Sequence, residues 1–283
     1  MTDITETGKA DFNDIYNQPD ARAYFTTLEA LDYSIPQHGA DVFATLLELR
    51  KPALDGQATV LDVCCSYGVG GTLLSTDLRL ADLYAHYRDA SERSLTRDEL
   101  LPADRQLLSK HRLPEPPLVM GLDVAERAVD YALAIGAIAD GAAENLEESA
   151  PSPRLAQALS GVDLITSTGG TSYVTEQTIG QLVDHGSGET WVAAFCIRTA
   201  DYEPISDSLV SRGLLTERAG RTFPQRRFID ATERDWAVGQ VAARGLDPES
   251  KESAGSYHAD FYLSRPASEV AEQPLAELLP ELF

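Results

Sequence analysis

Apolar positions recur with a helical period in some segments and as short continuous runs in others, and the two kinds alternate along the chain. The apolar runs predict strands, because they are short and rich in β-branched residues. Helical spacing is found in segments 20–36, 39–54, 72–89, 96–113, 125–135 and 175–186. Predicted strands cover 58–65, 118–124, 136–140, 162–170 and 190–199. Strands that alternate with helices indicate crossover connections and a parallel sheet with helices on both faces.

The last third of the chain has a different pattern. Segment 206–220 predicts a helix and a turn, and two late strands are predicted over 222–230 and 257–266 with little helix between them. Two late strands joined in this way indicate an antiparallel edge. We therefore expect an α/β fold with a Rossmann-like, doubly wound and mostly parallel sheet. An antiparallel edge strand, N-terminal helices and a helical insertion complete the expected architecture.

The domain organisation follows from the same pattern. Residues 1–50 are expected to form an N-terminal helical cap, and residues 51–266 one main domain with a helical insertion at about 72–117. Residues 267–283 form an acidic tail. A chain of 283 residues is long enough for one large domain with a sizeable insertion.

Composition and charge exclude several classes of function. The net charge of −22 argues against a nucleic-acid partner, because binding to phosphates requires clustered Lys and Arg. Three cysteines cannot form a disulfide framework, and the five scattered histidines do not suggest a metal site. The acidic start of the chain does not resemble a signal peptide, and no apolar run is long enough to cross a membrane. We expect a cytoplasmic protein with no membrane partner.

The first predicted strand runs into a turn of small residues, in the sequence TVLDVCCSYGVGG of residues 59–71. The first strand-to-helix turn of a doubly wound sheet is where the backbone usually approaches a ligand. Cys64 and Cys65 could carry redox or metal chemistry, or they could be small residues that allow this approach. Adjacent side chains of a strand point to opposite faces, which makes a shared metal ion difficult.

This segment resembles motif I of the class I S-adenosylmethionine (SAM)-dependent methyltransferases, approximately Val-Leu-Asp-x-Gly-x-Gly-x-Gly. Asp62 matches the acidic position, Cys64 and Ser66 stand where the first two glycines are usual, and Gly68 matches the third. The resemblance implies SAM as the cofactor, with this turn next to its methionyl part and Cys65 in a packing role. The G-x-G-x-x-G order of dinucleotide-binding proteins is absent, which disfavours an NAD-dependent oxidoreductase.

The next two strands offer further cofactor-binding candidates by the same resemblance. Asp123, at the end of the second strand, corresponds to the carboxylate that accepts both ribose hydroxyls, and its alternative role is a capping box with Glu126. Asp140 is placed to bind the adenine amino group, with Gly141 supplying backbone. Its alternative role is that of a solvated turn residue.

The later strand ends and the N-terminal helices supply candidates for the substrate side. The resemblance makes Thr168 face cofactor and substrate, whereas Tyr173 is a substrate wall, a cation–π partner of the sulfonium, or a packing residue. Arg198 could bind a carboxylate or form a salt bridge to an acidic residue of the surface. Tyr16, Tyr24 and Phe25 could cap the site, or they could pack in the core, which is the more frequent role of aromatic residues at helical spacing. Tyr173 and Arg198 are the catalytic candidates, and no metal is expected.

The expected function is methyl transfer from SAM to a small molecule by in-line displacement, in a site at the carboxyl ends of the strands. An alternative is an enzyme that cyclises SAM itself, similar to azetidine-2-carboxylate synthases, and releases methylthioadenosine. A third possibility is a non-catalytic SAM-binding protein. The sequence leaves the acceptor, the catalytic base and the oligomeric state open.

Overall fold

A single seven-stranded sheet organises the chain, of which a computed structural model describes residues 12–54, 56–89 and 94–283. The strand order is β3-β2-β1-β4-β5-β7-β6. Strands β1 to β5 pair in parallel, and β7 runs antiparallel to both β5 and β6. The strands are β1 (Thr59–Val63), β2 (Leu118–Asp123), β3 (Asp140–Ala143), β4 (Leu164–Ser167), β5 (Trp191–Ile197), β6 (Leu214–Arg227) and β7 (Ser256–Pro266).

Helices cover both faces of this sheet, as the alternating pattern predicts. Before β2 lie α1 (Asn13–Tyr16), α2 (Arg22–Glu29), α3 (Ile35–Arg50), α4 (Val69–Ser75), α5 (Leu80–Arg88) and α6 (Arg97–Lys110). The crossovers between β2 and β6 contain α7 (Glu126–Ile135), α8 (Pro153–Leu159), α9 (Glu176–Asp184) and α10 (Glu203–Val210). The remaining helices are α11 (Ala231–Ala243), α12 (Ala267–Glu272) and α13 (Leu275–Leu278).

The expected Rossmann-like, doubly wound fold is confirmed. The strand order reverses between β1 and β4, so their connections leave in opposite directions and open a crevice at the carboxyl ends. The strand of opposite direction, β7, lies one position inside the edge, and β6 is the outermost strand. The carboxyl end of β6 therefore lies at the same sheet edge as those of β1 to β5.

The core has two parts, one on each face of the sheet. Successive strand residues alternate between them: Val60 joins the cluster under α2 to α7, and Leu61 joins the cluster under α8 to α10. Strands buried on both faces are nearly all apolar, which explains why their sequences lack the alternation of a half-exposed strand. This rigid double layer positions the strand ends.

Three sequence-based expectations about elements are wrong. The third strand occupies Asp140–Ala143 instead of 136–140, because Gly136 (φ +78°) ends α7 in the left-handed conformation and the chain must still cross to the sheet. Residues 214–220 belong to the long strand β6, where pairing with β7 overrides the helical spacing. The 13-residue α11 separates the two late strands.

The N-terminal helices dock at the carboxyl end of β6. The Ser34 N–H donates to the Gln225 carbonyl (2.8 Å), and the Arg227 N–H donates to the Leu31 carbonyl (2.7 Å). The Arg227 guanidinium also pairs with Asp32 at 2.6 Å. These contacts hold α2 and α3 over the carboxyl edge of the sheet. Residues 1–11 of the expected cap lie outside the described residues.

Helices α5, α6 and α7 are joined by a buried polar cluster. Asp104 of α6 accepts hydrogen bonds from the hydroxyls of Tyr87 and Tyr131, both at 2.5 Å, and lies 2.7 Å from His86 Nε2. The Tyr87 ring stacks on Phe25 of α2 with 4.3 Å between centroids. The cluster therefore connects α5, α6 and α7 to the cap. Residues 90–93 of the expected insertion are not among those described.

The acidic C-terminal segment packs through its leucines. Leu275, Leu279 and Leu282 are buried against the main core. None of the described helices is long and apolar enough to cross a membrane. In the same described ranges, no group of three His, Cys, Asp or Glu side chains is arranged to hold a metal ion.

Candidate active site

A cavity of about 200 Å³ opens where the carboxyl ends of β1, β2 and β4 meet, and we call it the central cavity. It lies at the reversal of strand order, the place expected for a ligand in this fold. Five of the predicted site residues on the cofactor side, and the catalytic candidate Tyr173, line it. The lining comprises Tyr16, Tyr24, Tyr33, Pro36, Asp62, Cys64, Cys65, Ser66, Val69, Gly70, Asp123, Val124, Ala125, Thr168, Gly169, Gly170 and Tyr173.

The turn after β1 has the backbone conformation of a glycine turn although two of its residues carry side chains. Cys64 (φ +60°) and Ser66 (φ +48°) are left-handed, as is Gly68 (φ +72°). A side chain in this region costs about 1–2 kcal/mol, so local contacts must compensate. The Cys64 N–H donates to the Leu122 carbonyl (2.8 Å), which ties the turn to β2. Backbone shape is thus retained where motif I usually has glycine.

The adjacent cysteines pack against glycines on either side of β1. A Cβ atom on Gly170 would lie 2.5 Å from Cys64 Sγ, and one on Gly121 would lie 2.6 Å from Cys65 Sγ. Burial raises the pKa of both thiols far above the usual range, which disfavours a reactive thiolate. The two cysteines are therefore packing groups that fill space left by Gly121 of β2 and by Gly170 in the turn after β4.

Asp62 is a buried carboxyl group at the floor of the central cavity. Its Oδ1 accepts a hydrogen bond from the Thr166 hydroxyl at 3.3 Å. Burial raises its pKa to about 7, the Thr166 hydrogen bond opposes the rise, and the charge of Asp123 adds to it. A Cβ atom on Gly70 would lie 2.4 Å from Asp62 Oδ2, so only glycine lets α4 approach this carboxyl group.

Asp123 connects the turn after β1 to the end of β2. Its Oδ2 accepts from the Ser66 N–H (2.8 Å), and its Oδ1 accepts from the Ala125 N–H (2.9 Å). The capping box with Glu126 does not form, because Ala125 is the N-cap of α7 and receives no side-chain capping bond. Each carboxylate oxygen keeps a further acceptor site. Asp123 therefore fixes the turn and can still bind hydroxyl groups of a ligand.

Four tyrosines form the opposite wall of the central cavity. Tyr16 and Tyr24 come from α1 and α2, Tyr33 from the turn between α2 and α3, and Tyr173 from the segment after β4. Burial raises the pKa of Tyr16, Tyr24 and Tyr33 far above the ordinary value, so these three hydroxyls stay protonated near neutral pH. Sequence reasoning identified all but Tyr33. That residue follows Asp32 in a turn, and no periodic pattern marks it.

The charges around the central cavity have one sign. Asp62 and Asp123 are its ionisable carboxyl groups, and none of the described residues that line it is Lys, Arg or His. The Ser66 hydroxyl is buried and has no hydrogen-bond partner among the described residues. An orphaned buried hydroxyl in a cavity wall requires a partner from outside the chain. The two carboxyl groups, the Ser66 hydroxyl and the tyrosine rings together suit a cationic ligand with polar groups.

A neighbouring cavity of about 310 Å³ extends the central one toward β3, and we call it the side cavity. The two share Cys64, Asp123, Val124 and Tyr173. Val124 and Tyr173 are 66% and 61% exposed, which is unusual for large side chains with apolar surface. Asn145 and the residues around it after β3 line the side cavity, a position that sequence reasoning missed because the third strand was expected too early.

Four predicted site residues lie outside both cavities. Gly68 caps α4, and a Cβ atom there would lie 2.8 Å from Ala137 Cβ. Asp140 and Gly141 begin β3, and the Asp140 carboxylate contacts Arg154 and the Gly141 N–H. Arg198 is buried and its guanidinium pairs with Glu252 at 2.7 Å. Arg198 thus forms a salt bridge, but with a buried partner and not with the acidic surface residue that the sequence left as its alternative.

The loop after β4 carries Thr168, which lies where it was expected, and is fixed at its far end by a helix cap. Thr168 lines the central cavity, and helix α3 comes so close that a Cβ atom on Gly39 would lie 2.2 Å from Thr168 Cγ2. Thr175 caps α9, with its hydroxyl accepting from the Gln177 N–H at 3.1 Å. The loop after β4 is therefore held between α3 and the start of α9.

No protein-family model matches the chain, and neither does any curated protein sequence. Among solved structures, precorrin-6y C5,15-methyltransferase from Geobacter metallireducens aligns at 11% identity over 79% of this chain and 86% of that chain, with a TM-score of 0.39. Magnesium protoporphyrin IX methyltransferase from Synechocystis PCC 6803, with bound SAM, aligns at 13% identity over 81% and 79%, with a TM-score of 0.39. Phosphoethanolamine N-methyltransferase 2 from Haemonchus contortus aligns at 9% identity over 78% and 52%, with a TM-score of 0.40. These TM-scores are low, so we base the function on the site itself.

Proposed function

We propose that the protein is a SAM-dependent methyltransferase that acts on a small molecule. One observation carries this proposal: the carboxyl groups at the ends of β1 and β2 and the left-handed turn between them face a single cavity with tyrosine walls. This arrangement lies at the reversal of strand order, where doubly wound folds bind their ligands.

The polar and aromatic groups that line the central cavity fit SAM. SAM carries a sulfonium and an ammonium group, and two carboxyl groups with four tyrosines favour positive charge in a partly buried site. The orphaned Ser66 hydroxyl supplies a donor for the carboxylate of the methionyl part. A phosphate-rich cofactor would meet negative charge without any balancing cation in the described lining.

Individual residues can be assigned to parts of the cofactor. Asp123 would accept the ribose hydroxyls through the acceptor sites that its two backbone bonds leave open. Asp62 would accept the ammonium group, and Tyr173 would contact the sulfonium. The side cavity, with Val124, Leu146 and Val174 in its walls, would enclose the adenine ring. Asp140 has no part in this assignment, because it lies at the start of β3.

The chain would act chiefly by positioning and by excluding water. The cofactor supplies an electrophilic methyl group when it is bound. The turn around Cys64 and Ser66 would fix its methionyl part, and the N-terminal tyrosines would keep water from the reacting carbon. A small acceptor suits the limited volume of about 200 Å³, and the acidic chain disfavours a nucleic-acid acceptor.

One observation favours a second candidate function, the cyclisation of SAM. Asp62, at the floor of the central cavity where the methionyl part would lie, has a pKa of about 7. In this reaction the α-amino nitrogen attacks the γ-carbon, the bond from that carbon to sulfur breaks, and methylthioadenosine leaves. Asp62 would take the proton that the ammonium group must lose before the attack.

The decisive experiment is incubation of the purified protein with SAM alone, followed by mass spectrometry and a thermal-shift titration. We expect SAM to bind and to remain intact, after which a screen of small amines, phenols and acids would identify the acceptor. Methylthioadenosine formed in amounts above a protein-free control would overturn methyl transfer in favour of cyclisation. An unchanged melting temperature over the whole titration would reject both functions.

A further inference from the structure

A third cavity, of about 370 Å³, lies at the opposite edge of the sheet, where β5 begins and α3 ends. We call it the distal cavity, and no part of the proposed methyl transfer uses it. Its walls come from α3, β5, β7 and α12. The charged and aromatic residues of these walls are Arg50, Glu189, Trp191, Arg265, Glu269 and Glu272.

Two buried arginines flank the indole of Trp191. Arg50 and Arg265 are 7% and 1% exposed, and their guanidinium carbons lie 4.6 and 5.3 Å from the Trp191 ring centroid. Arg265 pairs with the Glu217 carboxylate at 2.7 Å. Arg50 donates to the Glu189 carbonyl at 2.9 Å, and no carboxylate in the described ranges lies within ion-pair distance of it. A buried guanidinium without a carboxylate partner is costly in the absence of a bound anion.

The same floor carries three orphaned N–H groups. Arg50 Nε, Arg265 Nε and Trp191 Nε1 are buried and have no acceptor among the described residues. Native proteins leave few buried donors unsatisfied, so these three enclosed N–H groups show that the floor is short of acceptors, while the exposed part of Arg50 is what a ligand would meet. A carboxylate suits this floor, because each of its oxygens accepts more than one hydrogen bond and Arg binds it as a fork.

The rim of the distal cavity has the opposite charge. Glu189, Glu269 and Glu272 line it, and Glu269 is the acid that most strongly opposes the lowering of the Arg50 pKa by burial. A simple anion would therefore meet three carboxylates on entry, and a simple amine would meet two arginines at the floor. A molecule with a carboxylate at one end and an ammonium at the other satisfies both.

We propose that the distal cavity binds a free amino acid. Its carboxylate would contact Arg50 at the floor, and its ammonium would contact the rim around Glu269. Arg265 would support the site through its charge, because its guanidinium is already held by Glu217 and by the Gln273 carbonyl. The two cavities lie at opposite edges of the sheet, so occupancy of one does not require displacement of ligand from the other. The proposal therefore stands or falls independently of methyl transfer.

The test uses the fluorescence of Trp191 in a Trp236→Phe background, since the chain has only these two tryptophans. Glycine, 4-aminobutanoate and 6-aminohexanoate would each be titrated, with and without SAM, beside the alkanoate and the alkylamine of the same length. We expect at least one amino acid to bind about tenfold more tightly than both of its monofunctional counterparts, because each charged contact contributes separately.

Two variants connect that binding to the cavity. Arg50→Met removes the floor charge and is expected to fold, since a buried guanidinium without a carboxylate partner is replaced by an apolar side chain. Glu269→Gln changes a partly exposed rim residue and leaves the core intact. Each substitution should weaken amino-acid binding about tenfold without changing the affinity for SAM.

The proposal is overturned by either of two results. One is the absence of any preference for an amino acid over its monofunctional counterparts at concentrations up to about 10 mM. The other is amino-acid binding that neither Arg50→Met nor Glu269→Gln weakens.

Discussion

Asp62 and Asp123 end neighbouring strands, yet their surroundings prepare them for different tasks. Asp123 receives two backbone N–H groups, whereas Asp62 receives only the weak bond from Thr166 in the described structure. Burial without compensating donors raises the pKa of Asp62 to about 7. The ligand-free protein thus contains a carboxyl group that ionises only at a free-energy cost, which a bound ammonium would offset.

Asp62→Asn should therefore stabilise the ligand-free protein in alkaline solution. The pKa of Asp62 is higher in the folded than in the unfolded chain, so the folded state binds more protons and its stability falls as the pH rises from about 4 to about 7. Above that range, Asp62→Asn should raise the free energy of unfolding by about 1–3 kcal/mol, less than the whole shift implies because the cavity admits water. Denaturant unfolding at about pH 8 and about pH 5 measures the difference, which should fall to about a third of its full value at the lower pH.

The same variant should weaken SAM binding, because it removes the charge that accepts the ammonium group. A variant that is less stable than the wild type at about pH 8 would contradict the strained-carboxyl interpretation. Unchanged SAM affinity would remove Asp62 from the proposed site.

Asp123→Asn should affect both the turn and the cofactor. An amide keeps one acceptor oxygen but presents an NH₂ group to the Ser66 or the Ala125 N–H, so we expect a loss of about 1 kcal/mol in stability. SAM affinity should fall about tenfold or more, because the charged acceptor of the ribose hydroxyls is lost. Isothermal titration calorimetry with SAM measures this change.

Asp163→Asn provides the matched control for that measurement. Asp163 also accepts a strand N–H, from Thr59 at 2.7 Å, but at the amino edge of the sheet. Asp163→Asn should lower the stability by about as much as Asp123→Asn does, with no change in SAM affinity. Equal loss of affinity in the two variants would mean that Asp123 acts only through the stability of the fold.

At the scale of elements, the close approach of α3 to the loop after β4 sets one wall of the central cavity. Gly39→Ala would improve helix propensity by about 1 kcal/mol but would place a methyl group on the Thr168 methyl. We expect a net loss of about 1–3 kcal/mol in stability, as for other overpacked contacts. Chemical denaturation measures the loss.

Thr168→Ser tests the cause, because it removes that methyl group and keeps the hydroxyl. The double variant should recover most of the stability lost in Gly39→Ala, with a coupling of at least about 1 kcal/mol. Simple additivity of the two single changes would show that α3 shifts to avoid the contact.

The helices and strands also show how much of the structure the sequence alone predicts. The positions of β1 and β2, and hence of Asp62 and Asp123, follow from apolar runs whose ends coincide with a turn. The sequence predicts that the third strand ends at Asp140, which would place this residue beside the adenine ring. In the structure β3 begins at Asp140. A four-residue strand of Asp, Gly and two Ala has almost no strand propensity, and only its pairing with β2 creates it.

Contacts between distant segments of the chain explain the features of the site that the sequence does not predict. Tyr33 reaches the central cavity because α2 and α3 dock on β6, a contact between distant segments that no local pattern encodes. Arg198 stands at a strand end as a ligand-binding residue would, but its partner Glu252 lies 54 residues further along the chain. Local periodicity predicts elements, and the docking of separate elements determines which side chains meet.

For the whole molecule, the net charge of −22 creates a repulsion that dissolved salt screens. We expect the melting temperature to rise by a few degrees when NaCl is increased from about 20 mM to about 300 mM, because screening relieves self-repulsion more than it weakens the buried ion pairs. SAM affinity should fall over the same range, since a cationic ligand gains from the negative field. Thermal unfolding and calorimetry measure the two trends.

A glucose series at matched osmolality separates screening from general solute effects. Glucose should leave SAM affinity unchanged. A melting temperature that falls with salt would mean that the ion pairs outweigh the net repulsion.

The docking of the N-terminal helices on β6 also constrains the order in which the protein becomes functional during translation. The Ser34 hydroxyl donates to the Pro224 carbonyl, 190 residues later. While the ribosome adds those residues, the nascent chain can assemble β1 to β5 with both acids in place. The segment that bears Tyr33 then has its bond from the Tyr84 hydroxyl but lacks its contacts with β6. Because β6 joins the sheet through β7, the docking of the N-terminal helices is complete only after both strands have left the exit tunnel. A chain that stalls earlier therefore has a less enclosed crevice.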